Sequence, residues 1–336
     1  MSYFDGRTIL VTGGTGSFGQ HFTHTALSKW NPRAIRIFSR DELKQTEMER
    51  KFGDSRLRFF VGDVRDRDRL RRAVEGVDVV IHAAALKHVP VCEYNPFEAI
   101  KTNILGTQNV AEVCLDAGIP QALALSTDKA VSPVNLYGAT KLCAEKLFVQ
   151  SNVYAGRHDT RLACVRYGNV VGSRGSVIPL FRTQAASGEL TVTDERMTRF
   201  WITLDQAVQF VADCYVAMSG GEVFVPKIPS TRVLDLAEAI APGMPIRYTG
   251  IRPGEKLHES LITAEEARHT FDRGWCYVVE PEHAFWATRG ATDGTPVAPD
   301  FVYSSDHNTQ WLDIAELRQL LTALPAPATA AIPTPG

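Results

Sequence analysis

Short apolar runs alternate with longer mixed segments through the first half of the chain. Six runs are rich in Val, Ile, Leu and Phe and nearly unbroken, which is typical of strands buried on both faces of a parallel sheet. They read RTILVTG, AIRIF, LRFFVG, VDVVIHAAA, PQALALS and RLACVRYG. The segments between them, such as residues 96–118, are long enough for helices. This β-α-β-α order predicts an α/β fold with a doubly wound parallel sheet of the Rossmann type.

The pattern changes after residue 168. Pro, Gly and Arg become frequent, the strand candidate GEVFVP appears, and residues 204–218 and 230–241 have helical patterns. We therefore expect a Rossmann domain over residues 1–168 and a smaller lobe over residues 169–320, partly interleaved with it at the carboxyl edge of the sheet. The Pro- and Ala-rich residues 321–336 predict a disordered tail.

Composition and charge narrow the class of protein. With 336 residues and a net charge of −2, the chain has no general attraction to nucleic acid or anionic membranes. Six cysteines without a C-x-x-C pair indicate reduced thiols rather than a disulfide framework or a metal site. No apolar run reaches the roughly 18–20 residues of a membrane span, and the first residues lack a signal-peptide pattern. These features predict a cytoplasmic protein.

A glycine pattern follows the first apolar run. In TGGTGSFGQ, Gly13 permits a tight turn, Gly16 lets the backbone approach a phosphate, and Gly19 lets the next helix pack closely on the sheet. The amino terminus of that helix offers free N–H groups to a pyrophosphate. A turn with packing roles alone is the alternative, but the position between a strand and a helix favours a dinucleotide site. Its expected contacts are Gly13, Thr15, Gly16, Ser17, Phe18 and Gly19.

The end of the second run distinguishes NAD from NADP. An NAD site needs a carboxylate there for the ribose 2′-hydroxyl, whereas an Arg suits a 2′-phosphate. Ser39 and Arg40 occupy this place and Lys44 follows one turn later, so the sequence favours tightly bound, recycled NADP. Asp41 comes directly after Arg40, and a small shift of register would weaken this prediction. A solvated charged loop is the other interpretation.

Two further strand ends complete the expected cofactor site. Asp63 in VGDV, next to Val64, is placed to accept a hydrogen bond from the adenine amino group. The HAAA stretch is small enough to lie along the cofactor. Its expected contacts are Ala83, Ala84 and Ala85.

A second motif, YGATK, places Tyr137 and Lys141 four residues apart and therefore on one face of a helix. A phenol has a pKa of about 10, and a neighbouring ammonium favours the phenolate, so Tyr137 could act as a base. Lys141 could also hold the nicotinamide ribose. Ser126, at the end of the fifth run, can hydrogen-bond the same reacting oxygen. Together these residues predict a hydride-transfer site.

These motifs resemble the extended short-chain dehydrogenases that act on nucleotide sugars. More narrowly, the chain is similar to the inverting UDP-N-acetylglucosamine 4,6-dehydratases from about residue 5 to residue 312. This likeness rests on TGGTGSFG, SRDELKQ, HAAALKHVP, EYNP, STDKA, NLYGATK, VRYGNVVGSRGSV, MTRFWI, FVPKIPS and IRPGEKLHE. The resemblance implies UDP-N-acetylglucosamine as the substrate and a homo-oligomer, with a hexamer as one form. It implies UDP-2-acetamido-2,6-dideoxy-β-L-arabino-hex-4-ulose as the product, an intermediate toward pseudaminic acid or related amino sugars.

The resemblance also gives a reason for the adjacent Asp128 and Lys129. Hydride transfer needs only Tyr, Lys and Ser, whereas a dehydratase also needs a base for the C5 proton and an acid for the C6 hydroxyl. Retaining dehydratases similar to this chain have Glu at the position of Lys129. The resemblance implies that Lys at this position marks the inverting branch. We expect Asp128 and Lys129 to act as this acid and base, with either residue in either role. Their titrations should be coupled because the two charges are adjacent. A base role for Lys129 would need a pKa lowered by burial, and a surface ion pair is the non-functional alternative.

Position and resemblance assign the remaining candidates. Lys87 follows the fourth run at the carboxyl edge, where open sheets bind ligands, and could touch the cofactor or the sugar. His88 beside it could be functional or a packed loop residue. Tyr167 and Val170 are expected to line the nicotinamide pocket.

The substrate contacts are expected mainly in the second lobe. Asn169 resembles an amide that faces the sugar, and Thr191 and Thr193 are placed at the uracil or ribose. Arg199, Arg252 and Glu255 resemble uridine and diphosphate contacts, since Arg binds phosphate through two hydrogen bonds. For the arginines, a solvated or interface charge is the alternative.

Several other functions stay open at this stage. A 4-epimerase, a retaining 4,6-dehydratase and a 5,6-dehydratase that releases an exocyclic alkene share the fold, and the Asp-Lys pair argues most strongly against the first two. A non-catalytic NADP-binding regulator would be free to lose Tyr137, Lys141 or Asp128, all of which are present.

Overall fold

The computed structural model of the protein describes residues 3–156, 158–172, 177–282 and 293–323. Within these ranges it has seventeen strands, β1 to β17 in chain order: Thr8–Thr12, Ala34–Ser39, Leu57–Val61, Val79–His82, Gln121–Thr127, Arg161–Tyr167, Asn169–Val170, Leu190–Val192, Thr198–Ile202, Val223–Pro226, Ser230–Arg232, Ile246–Tyr248, Ser260–Ile262, Thr270–Asp272, Cys276–Val279, Thr295–Pro296 and Tyr303–Ser304.

The same ranges contain twelve α-helices, α1 to α12: Ser17–Lys29, Glu42–Phe52, Arg67–Val74, Val89–Tyr94, Pro96–Ala99, Gly106–Asp116, Leu136–Gln150, Val177–Ser187, Leu204–Ala217, Val233–Ile240, Ala264–Ala267 and Ile314–Ala323. A π-helical segment, Ile100–Leu105, joins α5 to α6. Two short 3₁₀ turns cover Asp128–Ala130 and Ser151–Ala155.

The main sheet has ten strands in the order β16-β14-β15-β10-β6-β5-β4-β1-β2-β3. Neighbours from β10 to β3 are parallel, and β14, β15 and β16 extend the sheet with antiparallel pairs. All six predicted strands are present, and β1 is buried at every position, as expected for a strand covered on both faces. The predicted fold class is confirmed. The strand order reverses between β1 and β4, and ligands bind at such a switch point in doubly wound folds.

The second half of the chain contributes to two places in the molecule. Its strands β10, β14, β15 and β16 belong to the main sheet, whereas β7, β9 and β11 form a separate three-stranded sheet. A second apolar cluster packs beside this small sheet and includes Leu190, Trp201, Leu236 and Leu317. Residues 169–320 therefore build a small core of their own and also close the main sheet.

Several predicted elements differ in detail from the observed ones. Residues 230–241 were expected to be helical, but Ser230–Arg232 pair with β9 as a strand and the helix begins at Val233. Residues 96–118 contain a helical stretch interrupted by the π-helical segment. The first three residues of the predicted tail, 321–323, end α12, and residues 324–336 lie outside the described residues.

Two further observations concern the chain as a whole. No helix in the described ranges is long and apolar enough to cross a membrane. All six cysteines are free thiols, and Cys143 is the exposed one among them.

His82, at the end of β4, lies in a buried chain of hydrogen bonds. Its Nδ1 is 2.7 Å from Thr12 Oγ1 and its Nε2 is 3.0 Å from Thr107 Oγ1. Because the Thr107 hydroxyl donates to the Asn103 carbonyl, His82 Nε2–H must donate to Thr107, and Nδ1 accepts from Thr12. Burial, helped by the charge of Lys141, lowers the pKa of His82 to about 3, so the imidazole is neutral in the folded protein.

This buried imidazole predicts a loss of stability in acid. Between its unfolded pKa of about 6.5 and its folded value, the unfolded chain binds a proton that the folded chain excludes, so stability falls as the pH decreases. From pH 7 to pH 5, the free energy of unfolding should decrease by about 2 kcal/mol more in the wild type than in His82→Gln. Urea denaturation at both pH values measures this difference. Equal decreases in the free energy of unfolding in the two proteins would contradict it.

Candidate active site

A cavity of about 1260 Å³ crosses the carboxyl edge of the main sheet and continues into the second lobe. Every predicted cofactor and substrate residue lines it, and so do Ser126, Lys129, Tyr137 and Lys141. Asp128 is not among the lining residues because it is completely buried behind Lys129. The fold thus brings residues from distant parts of the chain to one cleft.

The glycine loop after β1 has the shape of a phosphate cradle. Gly13 has a φ of +64°, and a side chain there would lie 2.8 Å from the backbone of Ala84. A side chain on Gly19 would overlap the backbone of Gly14. Gly16 caps α1 without a side chain, so the first N–H groups of the helix face the cavity with no side-chain cap in competition. These residues fit the pyrophosphate of a dinucleotide.

The loop after β2 presents basic side chains beside this cradle. Asp41 caps α2 by accepting from Lys44 N at 3.0 Å, and its carboxylate also pairs with Lys44 Nζ at 2.6 Å. Arg40 is half exposed, with its Nη1 3.6 Å from Asp63 Oδ2. Asp63 in turn accepts two hydrogen bonds from the Arg65 guanidinium. The Asp41 carboxylate is therefore engaged within its own helix, whereas Arg40 faces the cavity.

The hydride-transfer residues meet at the carboxyl end of β5. Tyr137 and Lys141 lie on α7, and Lys141 Nζ donates to the Leu125 carbonyl at 2.7 Å. Ser126 Oγ is buried and has no hydrogen-bond partner, so it can bind a ligand oxygen. Burial raises the pKa of Tyr137 to about 12, and the positive charge of Lys129 acts against this rise. The ammonium that favours the phenolate is therefore Lys129 rather than the expected Lys141.

Asp128 and Lys129 form the 3₁₀ turn that follows β5. Asp128 Oδ1 accepts from the Thr127 hydroxyl at 2.8 Å and from Lys129 Nζ at 3.1 Å. Its Oδ2 is buried without a partner. Lys129 has 27% of its side chain exposed, and its Nζ is also 3.4 Å from Asn169 Oδ1.

The pKa of Lys129 is raised, not lowered as a base role would need. Burial alone disfavours the ammonium, but the carboxylates of Asp128 and Glu259 outweigh it. Lys129 is therefore protonated near neutral pH and enters any reaction as an acid. Glu259 has no counterpart in the sequence analysis, because it is far from Lys129 along the chain.

Gly138 is a second functional position that sequence reasoning missed. It follows Tyr137 in α7, and a side chain there would overlap the carbonyl oxygen of Lys129. The helix that carries Tyr137 can therefore approach the Asp128–Ala130 turn only because residue 138 has no Cβ. The sequence signal for this close approach was the Gly that follows the Tyr in YGATK.

The predicted substrate residues line the second-lobe side of the cavity, and several already have partners. Thr191 Oγ1 accepts from Gln184 Nε2 at 2.6 Å. Arg199 donates through its Nη atoms to the carbonyls of Thr198, Leu257 and Lys256. Its guanidinium therefore holds the neighbouring backbone while it faces the cavity.

Three exposed or partly satisfied groups line that side of the cavity. Arg252 is mostly exposed, and its Nη1 lies 3.8 Å from Glu255 Oε1. Glu255 Oε2 is buried without a partner. Trp201, which the sequence analysis did not single out, lines the same cavity with its buried Nε1–H unpaired. These groups can still bind a ligand. No group of His, Cys, Asp and Glu in the described ranges is arranged to hold a metal ion.

A doubly wound sheet, a glycine cradle and a Tyr-Lys pair beside a free Ser define a dinucleotide-dependent enzyme of the extended short-chain dehydrogenase type. A family model described as "Polysaccharide biosynthesis protein" matches residues 9–281. The chain belongs to this family.

Relatives agree with this assignment. A protein of Campylobacter jejuni subsp. jejuni serotype O:23/36, named UDP-N-acetylglucosamine 4,6-dehydratase (inverting), is 50% identical over 95% of this chain and 98% of its own length. A protein of Rickettsia prowazekii named UDP-glucose 4-epimerase is 40% identical over 96% and 97%. The X-ray structure of Pen from Bacillus thuringiensis aligns with a TM-score of 0.86 at 36% identity, over 95% of this chain and 99% of that one. The resemblance predicted from the sequence is confirmed.

The close approach at Gly138 predicts a specific loss of stability. In Gly138→Ala, the new methyl group must displace the Lys129 carbonyl, so the free energy of unfolding should fall by about 1–3 kcal/mol. Cys143→Ala, on the exposed side of the same helix, is the control and should change it by less than about 0.5 kcal/mol. Chemical denaturation compares the variants, and equal stabilities would contradict the tight packing of α7 on the turn.

Proposed function

We propose that this chain is a UDP-N-acetylglucosamine 4,6-dehydratase that inverts C5. The observation that carries the proposal is the Lys129 ammonium, which lines the cavity beside Asp128, Asn169 and Tyr137. A simple dehydrogenase or epimerase needs no such acid next to its Tyr. A dehydratase needs one to release the C6 hydroxyl as water and to return a proton to C5.

The residues divide the reaction between them. Tyr137 accepts the C4 hydroxyl proton as the phenolate, a form that the positive charge of Lys129 favours against the effect of burial. Ser126 hydrogen-bonds the same oxygen, and Lys141 would hold the ribose beside them. A dinucleotide held by the glycine loop after β1 would accept the hydride from C4 and return it to C6. The hydride removed is later returned, so the net change is the loss of one water. The 4-ketone acidifies the C5 proton, which makes the elimination possible.

The resting protonation state favours one assignment of the acid and base roles. Lys129 starts as an ammonium at the cavity wall and gives a proton to the substrate. Asp128 does not line the cavity, so its unpaired Oδ2 receives a proton only through Lys129. With that proton on Asp128, the Lys129 amine takes the C5 proton, and the ammonium formed again gives a proton to the C6 hydroxyl, which leaves as water. Since Asp128 is buried behind Lys129, we expect protons to pass between them as a coupled pair.

We also propose that the dinucleotide is NADP. The support is Arg40, which lines the cavity half exposed and is paired with Asp63 at a distance of 3.6 Å, together with an Asp41 carboxylate that is occupied by the N-cap and by Lys44. An NAD site would need that carboxylate for the ribose. The cytoplasmic location and the homo-oligomeric state expected from the sequence stay predictions.

Removal of the Arg40 charge should reverse the cofactor preference. In Arg40→Ser, the affinity for NADP should fall roughly 10–100-fold, because a charged hydrogen bond to phosphate is lost, while the affinity for NAD should change little. Calorimetric titration of both dinucleotides into the stripped protein measures the ratio. Tighter binding of NAD by the wild type would refute the NADP assignment.

The reaction itself is tested by NMR with UDP-N-acetylglucosamine in D₂O. We expect a new C6 methyl signal, deuterium at C5 and ring couplings of the L-arabino 4-keto sugar. A D-xylo product would mean retention, an exocyclic alkene would mean 5,6-dehydration, and an epimer would mean epimerisation. Binding without turnover would favour the regulator or another sugar.

Variants in the Asp-Lys pair serve as controls for the same experiment. Asp128→Asn and Lys129→Glu should keep dinucleotide binding, because neither side chain belongs to the phosphate cradle, but both should lose water release. Full dehydratase activity in either variant would overturn the assigned roles.

A further inference from the structure

Lys129 is paired with a second buried carboxylate that lies outside the cavity. Glu259 Oε1 is 3.6 Å from Lys129 Nζ, and 4% of the Glu259 side chain is exposed. Its Oε2 is 3.6 Å from Lys256 Nζ and has no hydrogen-bond partner. Lys256 Nζ in turn donates to the carbonyl of Val131, just after the Asp128–Ala130 turn. Asp128, Lys129, Glu259 and Lys256 thus form a line of alternating charges.

The backbone fixes Glu259 firmly in this position. Its N–H donates to Ser305 Oγ at 3.0 Å, and its carbonyl accepts from Ser305 N at 2.8 Å. Ser305 Oγ is also 2.7 Å from Thr198 Oγ1, next to Arg199 on β9. The backbone of residue 259 is therefore anchored to Ser305, which is itself tied to β9, and the carboxylate extends from this fixed point to Lys129 and Lys256.

The other groups that face Lys129 explain why one carboxylate is not enough. Arg199 from β9 and Lys87 from the loop after β4 repel its charge, and the phenol of Tyr137 lies close to it. Asp128 can balance only one of these cations. A partly desolvated ammonium beside two other cations has a lowered pKa unless further negative charge is near.

We propose that Glu259 is a positioning residue that, together with Asp128, holds the Lys129 side chain and its positive charge at the cavity wall. Glu259 does not line the cavity, so it acts through Lys129 and not on the substrate. Lys256 limits this effect because it shares the same carboxylate. The proposal deepens the dehydratase function and rests on it for its catalytic consequence.

The test measures the protonation of Lys129 directly. The full-length protein with its dinucleotide and without substrate is labelled with trace acetic anhydride, which acylates neutral amines, and Lys129 is quantified by peptide mass spectrometry against the exposed Lys29. In Glu259→Gln, which keeps the side-chain shape, Lys129 should react about tenfold faster at the same pH, since one pKa unit is a factor of ten in neutral amine. Glu259→Asp should give an intermediate rate.

Lys256→Met is the control, because it should change the acylation rate of Lys129 in the opposite direction. Without the Lys256 charge, the Glu259 carboxylate interacts with Lys129 alone and stabilises its ammonium more strongly. Lys129 should therefore be acylated more slowly than in the wild type. An unchanged rate in Glu259→Gln, or faster labelling in both variants, would overturn the proposal, the latter because it would indicate loosened packing. Should Glu259→Gln fail to fold, Glu259→Asp and Lys256→Met still give opposite expected directions.

Turnover separates this proposal from the dehydratase assignment. In Glu259→Gln, kcat should fall and the alkaline limb of its pH profile should move to lower pH, with KM for UDP-N-acetylglucosamine nearly unchanged. A purely structural role would lower activity without moving that limb. If the wild type does not release water, the proposed function fails, whereas the labelling result still decides the role of Glu259.

Discussion

A single buried arginine joins the parts of the molecule that carry the cleft. Arg166 on β6 is 1% exposed, and its guanidinium binds Glu145 of α7 and Glu266 of α11 through two hydrogen bonds each. Its remaining N–H donates to the Leu261 carbonyl at 2.8 Å. All five N–H donors of the guanidinium are used, so the cost of burying the charge is offset by full hydrogen bonding. Tyr137 and Lys141 share α7 with Glu145, and Glu259 lies just before the segment that Arg166 holds.

The sequence was informative wherever function depends on local patterns. The six buried strands and the glycine turn follow from short-range rules: apolar runs for strands covered on both faces, and glycine where a Cβ would strike neighbouring backbone. Gly13 and Gly19 show this directly, since a side chain at either position would meet main-chain atoms. Tyr137 and Lys141 were also predictable, because helical spacing alone places them together.

Long-range contacts were beyond the reach of such rules. Nothing in the pattern around residue 259 indicates that its carboxylate lies beside Lys129, so the sequence left open both the roles of Asp128 and Lys129 and the direction of the Lys129 pKa. Burial alone would have lowered it, but the nearby carboxylates reverse the sign. The return of β14, β15 and β16 to the main sheet was missed as well, because strand partners are chosen by tertiary packing rather than by local propensity.

The shared main sheet has a consequence for how the protein is made. Strand β6 has β5 on one side and β10 on the other, and β10 is covered by β15, which comes only at Cys276–Val279. A growing chain on the ribosome must therefore carry an open, apolar sheet edge until these later strands emerge. Such edges invite pairing with other chains, so the nascent protein is open to mispairing at this edge between the synthesis of β6 and that of β15.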